Sequence, residues 1–205
     1  MSDGSCKGTL LIISGPSGVG KGTLLSSVLE RYDPKDVYFS VSVTTRAPRP
    51  GEREGINYHY ISREEYEALK KSGGLLEWNV FCDVGYGTPF DPVKRALSEG
   101  KLVILEIDVN GMRQVVKKMP DAITVFVAPP SFEELERRIR KRNTETEGQL
   151  KKRLSAAERE LLAAEEYKYT VINDGLEDAV DKFSEILEKH YCSNGTFAAS
   201  KNLKD

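Results

Sequence analysis

The sequence predicts an α/β fold in which a parallel sheet supports a phosphate-binding loop. Residues Thr9–Ser14 form an apolar run that is typical of a buried strand. A glycine-rich loop occupies residues 15–23, and apolar residues with helical spacing follow it. Further along the chain, apolar strands alternate with amphipathic helices, and this order favours a parallel sheet with right-handed crossovers.

The composition indicates a globular chain in a reducing compartment. Its 205 residues are 39% hydrophobic and 30% charged, and the net charge of −2 gives no reason to expect nucleic-acid binding. Cys6, Cys82 and Cys192 are widely spaced, which fits the cytoplasm better than a disulfide framework. His59 and His190 lie far apart, so we predict no zinc site. No apolar run approaches ~20 residues, so we expect no membrane span.

Local signals place the elements of the first half of the chain. Pro34 ends the helix after the loop, and Ser62 with Glu65 forms a capping box that opens another helix. The predicted order is a helix at 21–32, a strand at 38–43, a basic proline-rich loop at 44–51, a strand at 57–61, a helix at 62–71, a strand at 75–81 and a loop at 85–88. We therefore expect residues 44–89 to form a β-rich lobe inserted into the core.

Signals in the second half predict the rest of the core and a pair of charged helices. Asp91 is predicted to cap a helix that Gly100 ends. The elements that follow are a strand at 102–108, a helix at 110–118, a strand at 123–127, helices from 131 and at 150–164, a strand at 170–173 and a helix at 176–187. A polar break at 143–148 indicates that the two helices of residues 131–165 form a flap.

The glycine-rich loop carries the chemistry of a phosphate site. Its glycines let successive backbone N–H groups point inward as an anion nest at the positive end of a helix. Lys21 adds a mobile positive charge, whereas Gly22 stands where a Ser or Thr usually supplies a hydroxyl to Mg²⁺. A glycine turn beside a surface lysine is the alternative, which the strand–loop–helix context disfavours. The predicted nucleotide-binding residues are Gly15, Pro16, Ser17, Gly18, Val19, Gly20, Lys21, Gly22 and Thr23.

A second set of motifs resembles the guanylate kinases over nearly the whole chain, from about residue 8 to 190. The residues that carry this resemblance stand in the family's order. They are Ser40–Glu52 with Gly55 and Tyr58, Glu77–Trp78, Tyr86–Thr88, Ile107–Gly111, Ala128–Ser131 and Arg153–Glu160.

The resemblance implies a nucleotide kinase of purine metabolism that transfers the γ-phosphoryl group of ATP to GMP, giving ADP and GDP, with dGMP as a further expected acceptor. It implies a P-loop NTPase core with an inserted GMP-binding lobe and a helical lid, all within residues 8–190. The core would comprise residues 8–43, 90–130 and 166–190, with the lobe at 44–89, the lid at 131–165 and a C-terminal tail at 191–205. ATP and GMP would be its partners, and we expect a monomer or a weak homo-oligomer.

The resemblance assigns four residues to the GMP phosphate: Arg46, Arg49, Tyr58 and Tyr86. Guanidinium groups can grip a phosphate with two parallel hydrogen bonds, which suits the two arginines of the proline-rich loop. Taken without the resemblance, solvated arginines in an exposed loop are about as probable, and the tyrosines would more often be packing residues of a small lobe.

The guanine base would be read by Glu77. A carboxylate accepts two parallel hydrogen bonds, and guanine offers an adjacent N1–H and 2-amino group, whereas adenine offers no such pair. By resemblance, Ser42 and Thr88 approach the base oxygen, and Asp108 contacts the base or orders magnesium-bound water. The alternative for Glu77 is a solvent-facing acid on a strand, and the role of Glu106 stays open.

The lid would supply further positive charge. The implied catalytic residues are those that can stabilise the charge of the transferring phosphates. They are Arg138, Arg142 and Arg153 of the lid, together with Lys21 and Arg46. The alternative for the lid arginines is a solvated basic helix face. Mg²⁺ is the implied cofactor, and we expect it to be held mainly by phosphates and water near Thr23 and Asp108. Asn143 departs from the family, where a glycine commonly follows the last lid arginine.

Two other functions compete with this interpretation. Guanylate-kinase-like domains of junction scaffolds bind peptides without catalysis, but they usually have a degraded phosphate loop, whereas this chain retains Lys21. A kinase for another nucleoside monophosphate is the second alternative, and Glu77 together with the arginine loop disfavours it.

Overall fold

The computed structural model describes residues 8–141 and 147–191. The strands in these ranges are β1 (Thr9–Ser14), β2 (Val37–Phe39), β3 (Val43–Thr44), β4 (His59–Tyr60), β5 (Leu75–Phe81), β6 (Val84–Pro89), β7 (Leu102–Glu106), β8 (Ile123–Ala128) and β9 (Tyr169–Ile172). The helices are α1 (Lys21–Leu29), α2 (Arg63–Ser72), α3 (Phe90–Ser98), α4 (Val109–Lys118), α5 (Phe132–Lys141), α6 (Glu147–Leu161) and α7 (Leu176–His190). None of these helices combines the length and apolar character that crossing a membrane requires.

The core sheet is parallel, as predicted, with the strand order β2-β7-β1-β8-β9. Strand β1 lies at its centre, where Ile13 pairs with Glu106 of β7 and Ser14 pairs with Phe126 of β8. The phosphate loop therefore leaves the sheet at its carboxyl edge, which is where open α/β sheets bind their ligands.

Both faces of the core sheet are covered, and this explains why β1 is an uninterrupted apolar run. Leu11 and Ile13 belong to one apolar cluster with residues of α1 and α7. Leu10 and Ile12 point to the opposite face and belong to a second cluster with residues of α3 and α4. Alternate side chains of one strand thus anchor the two layers of the fold.

A small sheet with the strand order β4-β3-β6-β5 occupies the segment 44–89 that was predicted to be an inserted lobe, and it also includes Val43. Its own apolar cluster is built from Val43, Tyr66 and Leu75. Helix α2 begins with the predicted capping box, because Ser62 accepts from Glu65 N–H and Glu65 accepts from Ser62 N–H. Tyr66 on this helix is 1% exposed, and its hydroxyl lies 3.1 Å from Asn79 O and 3.2 Å from Tyr86 O.

Three local predictions were wrong. The predicted strand at 38–43 is divided, since Val37–Phe39 pairs in the core sheet and Val43–Thr44 pairs in the small sheet. Residues 85–88, predicted as a loop, belong to β6, because Cys82 and Asp83 form a two-residue turn with φ of 50° and 63°. Asp91 is not the N-cap of α3, which begins at Phe90, so Asp91 lies in the first turn.

Gly85 is required by the packing of the small sheet, and its substitution tests that packing. A Cβ atom at this position would lie 2.7 Å from Cζ of the buried Tyr66 ring. We expect Gly85→Ala to lower the free energy of unfolding by about 1–3 kcal/mol through overpacking, measured by urea denaturation. Gly148→Ala is the control, because a Cβ there meets no atom within 4 Å and should cost nothing. Equal stability of Gly85→Ala and the parent would contradict the expected crowding.

Candidate active site

The phosphate loop is held in a conformation that glycine makes possible. Gly15 has a φ of 149°, and a Cβ atom there would lie 2.2 Å from the carbonyl oxygen of Val127 on β8. Gly18 has a φ of 92°, and its Cβ would lie 2.8 Å from Ile139 on α5. The loop is therefore wedged between the sheet and α5, and its backbone shape is fixed from both sides.

Lys21 folds back over this loop. Its Nζ atom donates to Gly15 O at 2.7 Å and to Pro16 O at 3.3 Å, and it lies 4.0 Å from Oε1 of Glu106. The lysine side chain is only 15% exposed. A positive charge is thus placed at the carboxyl edge of the sheet, where it can neutralise a bound phosphate.

Of the three predicted lid arginines, Arg153 contacts the phosphate loop directly, and Arg138 is connected to it through Asn173. Arg138 on α5 donates through Nε to Glu134 at 2.7 Å and through Nη1 to the carbonyl oxygen of Asn173 at 2.9 Å. Arg153 on α6 donates through Nη2 to the hydroxyl of Ser17 at 2.6 Å. Arg142 lies outside the described residues. Helix α5 is also anchored in the apolar core through Leu135 and Ile139.

Asn173, which sequence reasoning missed, connects the loop, the sheet and α5. Its side-chain Nδ2 donates to Val19 O of the loop at 2.8 Å. Its backbone N–H donates to Ala128 O at 2.8 Å, while its carbonyl accepts from Arg138. The sequence feature that could have identified Asn173 is its position as a polar residue directly after the last apolar strand, at the carboxyl edge of a parallel sheet.

A second cluster of charge lies in the proline-rich loop. Arg46 makes two parallel hydrogen bonds to Glu52, from Nη1 to Oε2 at 2.6 Å and from Nη2 to Oε1 at 2.8 Å. The guanidinium Cζ lies 5.0 Å from the ring centre of Tyr58, and the Tyr58 and Tyr86 rings are 5.9 Å apart. Glu52 and, to a smaller extent, Tyr86 raise the pKa of Arg46. The structure thus brings Arg46, Tyr58 and Tyr86 together.

Glu77 is buried and does not face solvent. Its carboxylate is on β5, and its Oε1 atom accepts a 2.6 Å hydrogen bond from the hydroxyl of Thr88 on β6. The residue is 5% exposed. A Cβ atom at Gly111 would lie 2.7 Å from Glu77 Oε2, so the carboxylate packs against the first turn of α4. Thr88 and Gly111 are therefore the residues that position this acid.

The other predicted residues lie at the margins of these clusters. Asp108 caps α4, with Oδ1 accepting from Gly111 N–H at 2.7 Å and Oδ2 accepting from Asn79 at 2.6 Å. Ser42 is half-buried just before β3, and its carbonyl accepts from His59 N–H. The Arg49 side chain is exposed, while its N–H donates to Glu52 at 2.8 Å.

Comparison with known proteins identifies the family. A family model described as guanylate kinase matches residues 7–190. The chain belongs to the guanylate kinase family. The expectation drawn from the sequence motifs is thereby confirmed.

The relatives match most of the chain. A guanylate kinase of Synechococcus sp. (strain JA-3-3Ab) is 49% identical over 181 residues, which cover 88% of this chain and 82% of the relative. A guanylate kinase of Desulfitobacterium hafniense (strain Y51) is 47% identical over 185 residues, covering 90% and 92%. The crystal structure of guanylate kinase from Anaplasma phagocytophilum is 31% identical with a TM-score of 0.73, covering 92% of this chain and 89% of that one.

The buried carboxyl of Glu77 makes stability depend on pH. Burial raises the pKa of Glu77 from 4.5 to about 7, and the hydrogen bond from Thr88 offsets this in part. At a pH between 4.5 and about 7, Glu77 holds a proton in the folded state but releases it in the unfolded state. The free energy of unfolding therefore falls as the pH rises. We expect this group to lower the free energy of unfolding by about 3 kcal/mol between about pH 4 and pH 8.

Urea denaturation of the parent and of Glu77→Gln at several pH values isolates this contribution, because glutamine does not titrate. The stability of Glu77→Gln relative to the parent should increase steadily as the pH rises through this range. A difference that stays constant with pH would show that Glu77 titrates like an exposed acid.

Proposed function

We propose that this protein is an ATP:GMP phosphotransferase that converts ATP and GMP into ADP and GDP. The observation that carries the proposal is the buried carboxylate of Glu77, which lies on the small sheet in a chain whose core sheet presents a phosphate loop. A buried acid bonded to Thr88 is suited to a base with two adjacent donors. The names of the relatives support the same reaction.

On the donor side, the loop from Gly15 to Thr23 would bind the ATP phosphates. Its backbone N–H groups and the start of α1 supply a fixed positive potential. Lys21 would exchange its bonds to Gly15 O and Pro16 O for phosphate oxygens and follow the charge during transfer. Glu106, 4.0 Å from Lys21, limits where this ammonium group can go.

On the acceptor side, the phosphate and the base of GMP would be held by different residues. Arg46, Arg49, Tyr58 and Tyr86 would bind the phosphate. Glu77 would accept from guanine N1–H and the 2-amino group, while Ser42 and Thr88 approach the base oxygen and Asp108 contacts the base or water on Mg²⁺. The GMP phosphate oxygen is already ionised near neutral pH, so it can attack in line without a protein base.

The lid arginines would complete the charge around the transferring group. Arg153 bonds Ser17 of the loop, Arg138 bonds Asn173, and Arg142 would join them by family resemblance. Mg²⁺ would enter with ATP and neutralise phosphate charge. The loop has no hydroxyl at Gly22, where open space remains, and both Asp108 oxygens accept from protein groups. We infer that phosphates and water would hold the ion, near Thr23 and Asp108.

The predicted division of the chain becomes part of this proposal. The core at 8–43, 90–130 and 166–190 would bind ATP, the lobe at 44–89 would bind GMP, and the lid at 131–165 would close over the phosphates. We expect a cytoplasmic monomer or weak homo-oligomer. A steady-state assay of ADP release with ATP and GMP, dGMP or AMP tests the function directly, and absence of turnover with GMP would reject it.

Lys21→Ala tests the donor site. Loss of the ammonium charge removes stabilisation of the transition state, so kcat should fall by about 10³-fold or more while the protein stays folded. Lys117→Ala, at an exposed lysine of α4, is the control and should keep the parent rate. Near-normal turnover by a folded Lys21→Ala protein would remove Lys21 from the mechanism.

Glu77→Gln tests the reading of the base. The amide presents a donor where one acceptor stood, so it faces a guanine donor with another donor. We expect kcat/KM for GMP to fall about 10²-fold or more, with a much smaller change for AMP. Arg46→Ala should instead weaken all monophosphates together, because it removes a phosphate contact. Equal losses for GMP and AMP in Glu77→Gln would show that Glu77 does not read guanine.

A further inference from the structure

Arg46 is held by one edge of its guanidinium group. The two terminal nitrogens, Nη1 and Nη2, donate to the two carboxylate oxygens of Glu52 at 2.6 and 2.8 Å. Nη1 also donates to Ala47 O at 3.1 Å. The side chains of the pair are 13% and 19% exposed, so the ion pair is largely withdrawn from water. Such paired, partly buried hydrogen bonds fix the rotation of the guanidinium plane.

The opposite edge of the same group has a different environment. Arg46 Nε is buried and has no hydrogen-bond partner among the described residues. A buried N–H without a partner is costly, so its presence needs an explanation, and an anion that binds there is one. The Tyr58 ring lies beneath the guanidinium at 5.0 Å, so it supports the plane without competing for this N–H.

The Glu52 carboxylate is itself fixed by more than Arg46. Its Oε2 atom accepts from the N–H of Arg49 at 2.8 Å and from the hydroxyl of Tyr60 at 2.9 Å. These bonds connect both ends of the proline-rich loop and strand β4 to one acid. The hydrogen bonds from Arg46 and, to a smaller extent, from Arg49 N–H and Tyr60 lower the pKa of Glu52 to about 2, so the acid is ionised near neutral pH.

A negative charge beside a phosphate site weakens the attraction of that site for its ligand, so Glu52 needs another reason to be there. Arginine has many rotamers, and holding it in one orientation before binding reduces the conformational entropy that the ligand must remove. Nε–H and one Nη2–H point the same way along one edge of every guanidinium group, which matches two oxygens of a phosphate, and on this edge Nε has no partner among the described residues.

We propose that Glu52 is a positioning residue that presents the Nε edge of Arg46 to the phosphate of the acceptor nucleotide. Glu52 acts through Arg46 and does not contact the substrate. The inference rests on the proposed function, because it assumes that Arg46 binds the GMP phosphate.

Glu52→Gln tests the inference, with Glu54→Gln as its matched control. Glutamine keeps the shape of Glu52 but offers one acceptor oxygen, so Arg46 loses its paired bonds. We expect KM for GMP to rise about tenfold, with less than a twofold change in KM for ATP. Glu54 lies two positions along the same loop and accepts from His59 and from Tyr60 N–H. Glu54→Gln should keep both KM values.

Guanosine separates positioning of a phosphate ligand from general damage to the small sheet. Guanosine has the base but no phosphate, and its competition against GMP can be measured as an inhibition constant. Glu52→Gln should leave this constant within twofold of the parent value while weakening GMP. Equal weakening of guanosine and GMP would overturn the inference, since it would show that Glu52 maintains the whole lobe.

A double-mutant cycle shows whether Glu52 acts through Arg46. In an Arg46→Ala background, Glu52→Gln should change the affinity for GMP less than twofold, measured by calorimetric titration. A full tenfold effect in that background, or parent-like KM values for Glu52→Gln alone, would overturn the inference and leave the proposed function intact. Absence of GMP turnover by the parent would overturn both.

Discussion

Burial of β1 at the centre of the core sheet is the constraint on which the rest of the structure depends. Residues Leu11–Ser14 are 0% exposed, with neighbours on both sides and apolar layers on both faces. A shift of one residue would move each side chain of this strand into the opposite layer, where it would not match the packing. The phosphate loop therefore begins at a fixed point, and Asn173 bonds Val19 across 154 positions of the chain.

The proposed donor and acceptor sites hold their positive charges in different ways. In the proposed donor site, Lys21 donates to two backbone carbonyls and would exchange these bonds for bonds to phosphate oxygens. In the acceptor site, Arg46 is already paired with Glu52, so its orientation is set before binding. Glu77 differs from both, because it is buried, and burial raises its pKa to about 7.

Sequence patterns predicted the elements whose formation depends on neighbouring residues in the chain. The strand and loop at 9–23 follow from apolar runs and glycine positions, and the start of α2 follows from one capping box. Strand β6 could not be predicted, because the turn at Cys82–Asp83 has positive φ without glycine or asparagine. The motifs included Glu52, but its bonds to Arg46, Arg49 and Tyr60 depend on how a proline-rich loop closes on β4. Asn173 was missed for the same reason, since its partners lie on distant segments.

The Glu77 carboxylate lies where the small sheet contacts the core. Strand β5 is an edge strand, and Gln114 of α4 satisfies its free backbone by accepting from Trp78 N–H at 3.2 Å and donating to Trp78 O at 2.7 Å. Lys118 donates to the neighbouring carbonyl of Leu76. The Gln114 amide thus takes the place of a neighbouring strand. Its hydrogen bonds to Trp78 can be replaced by hydrogen bonds to water at small net cost. Glu77 packs against α4 in this same contact. A ligand that forms hydrogen bonds with the Glu77 carboxylate would therefore bind directly at the contact between the small sheet and the core.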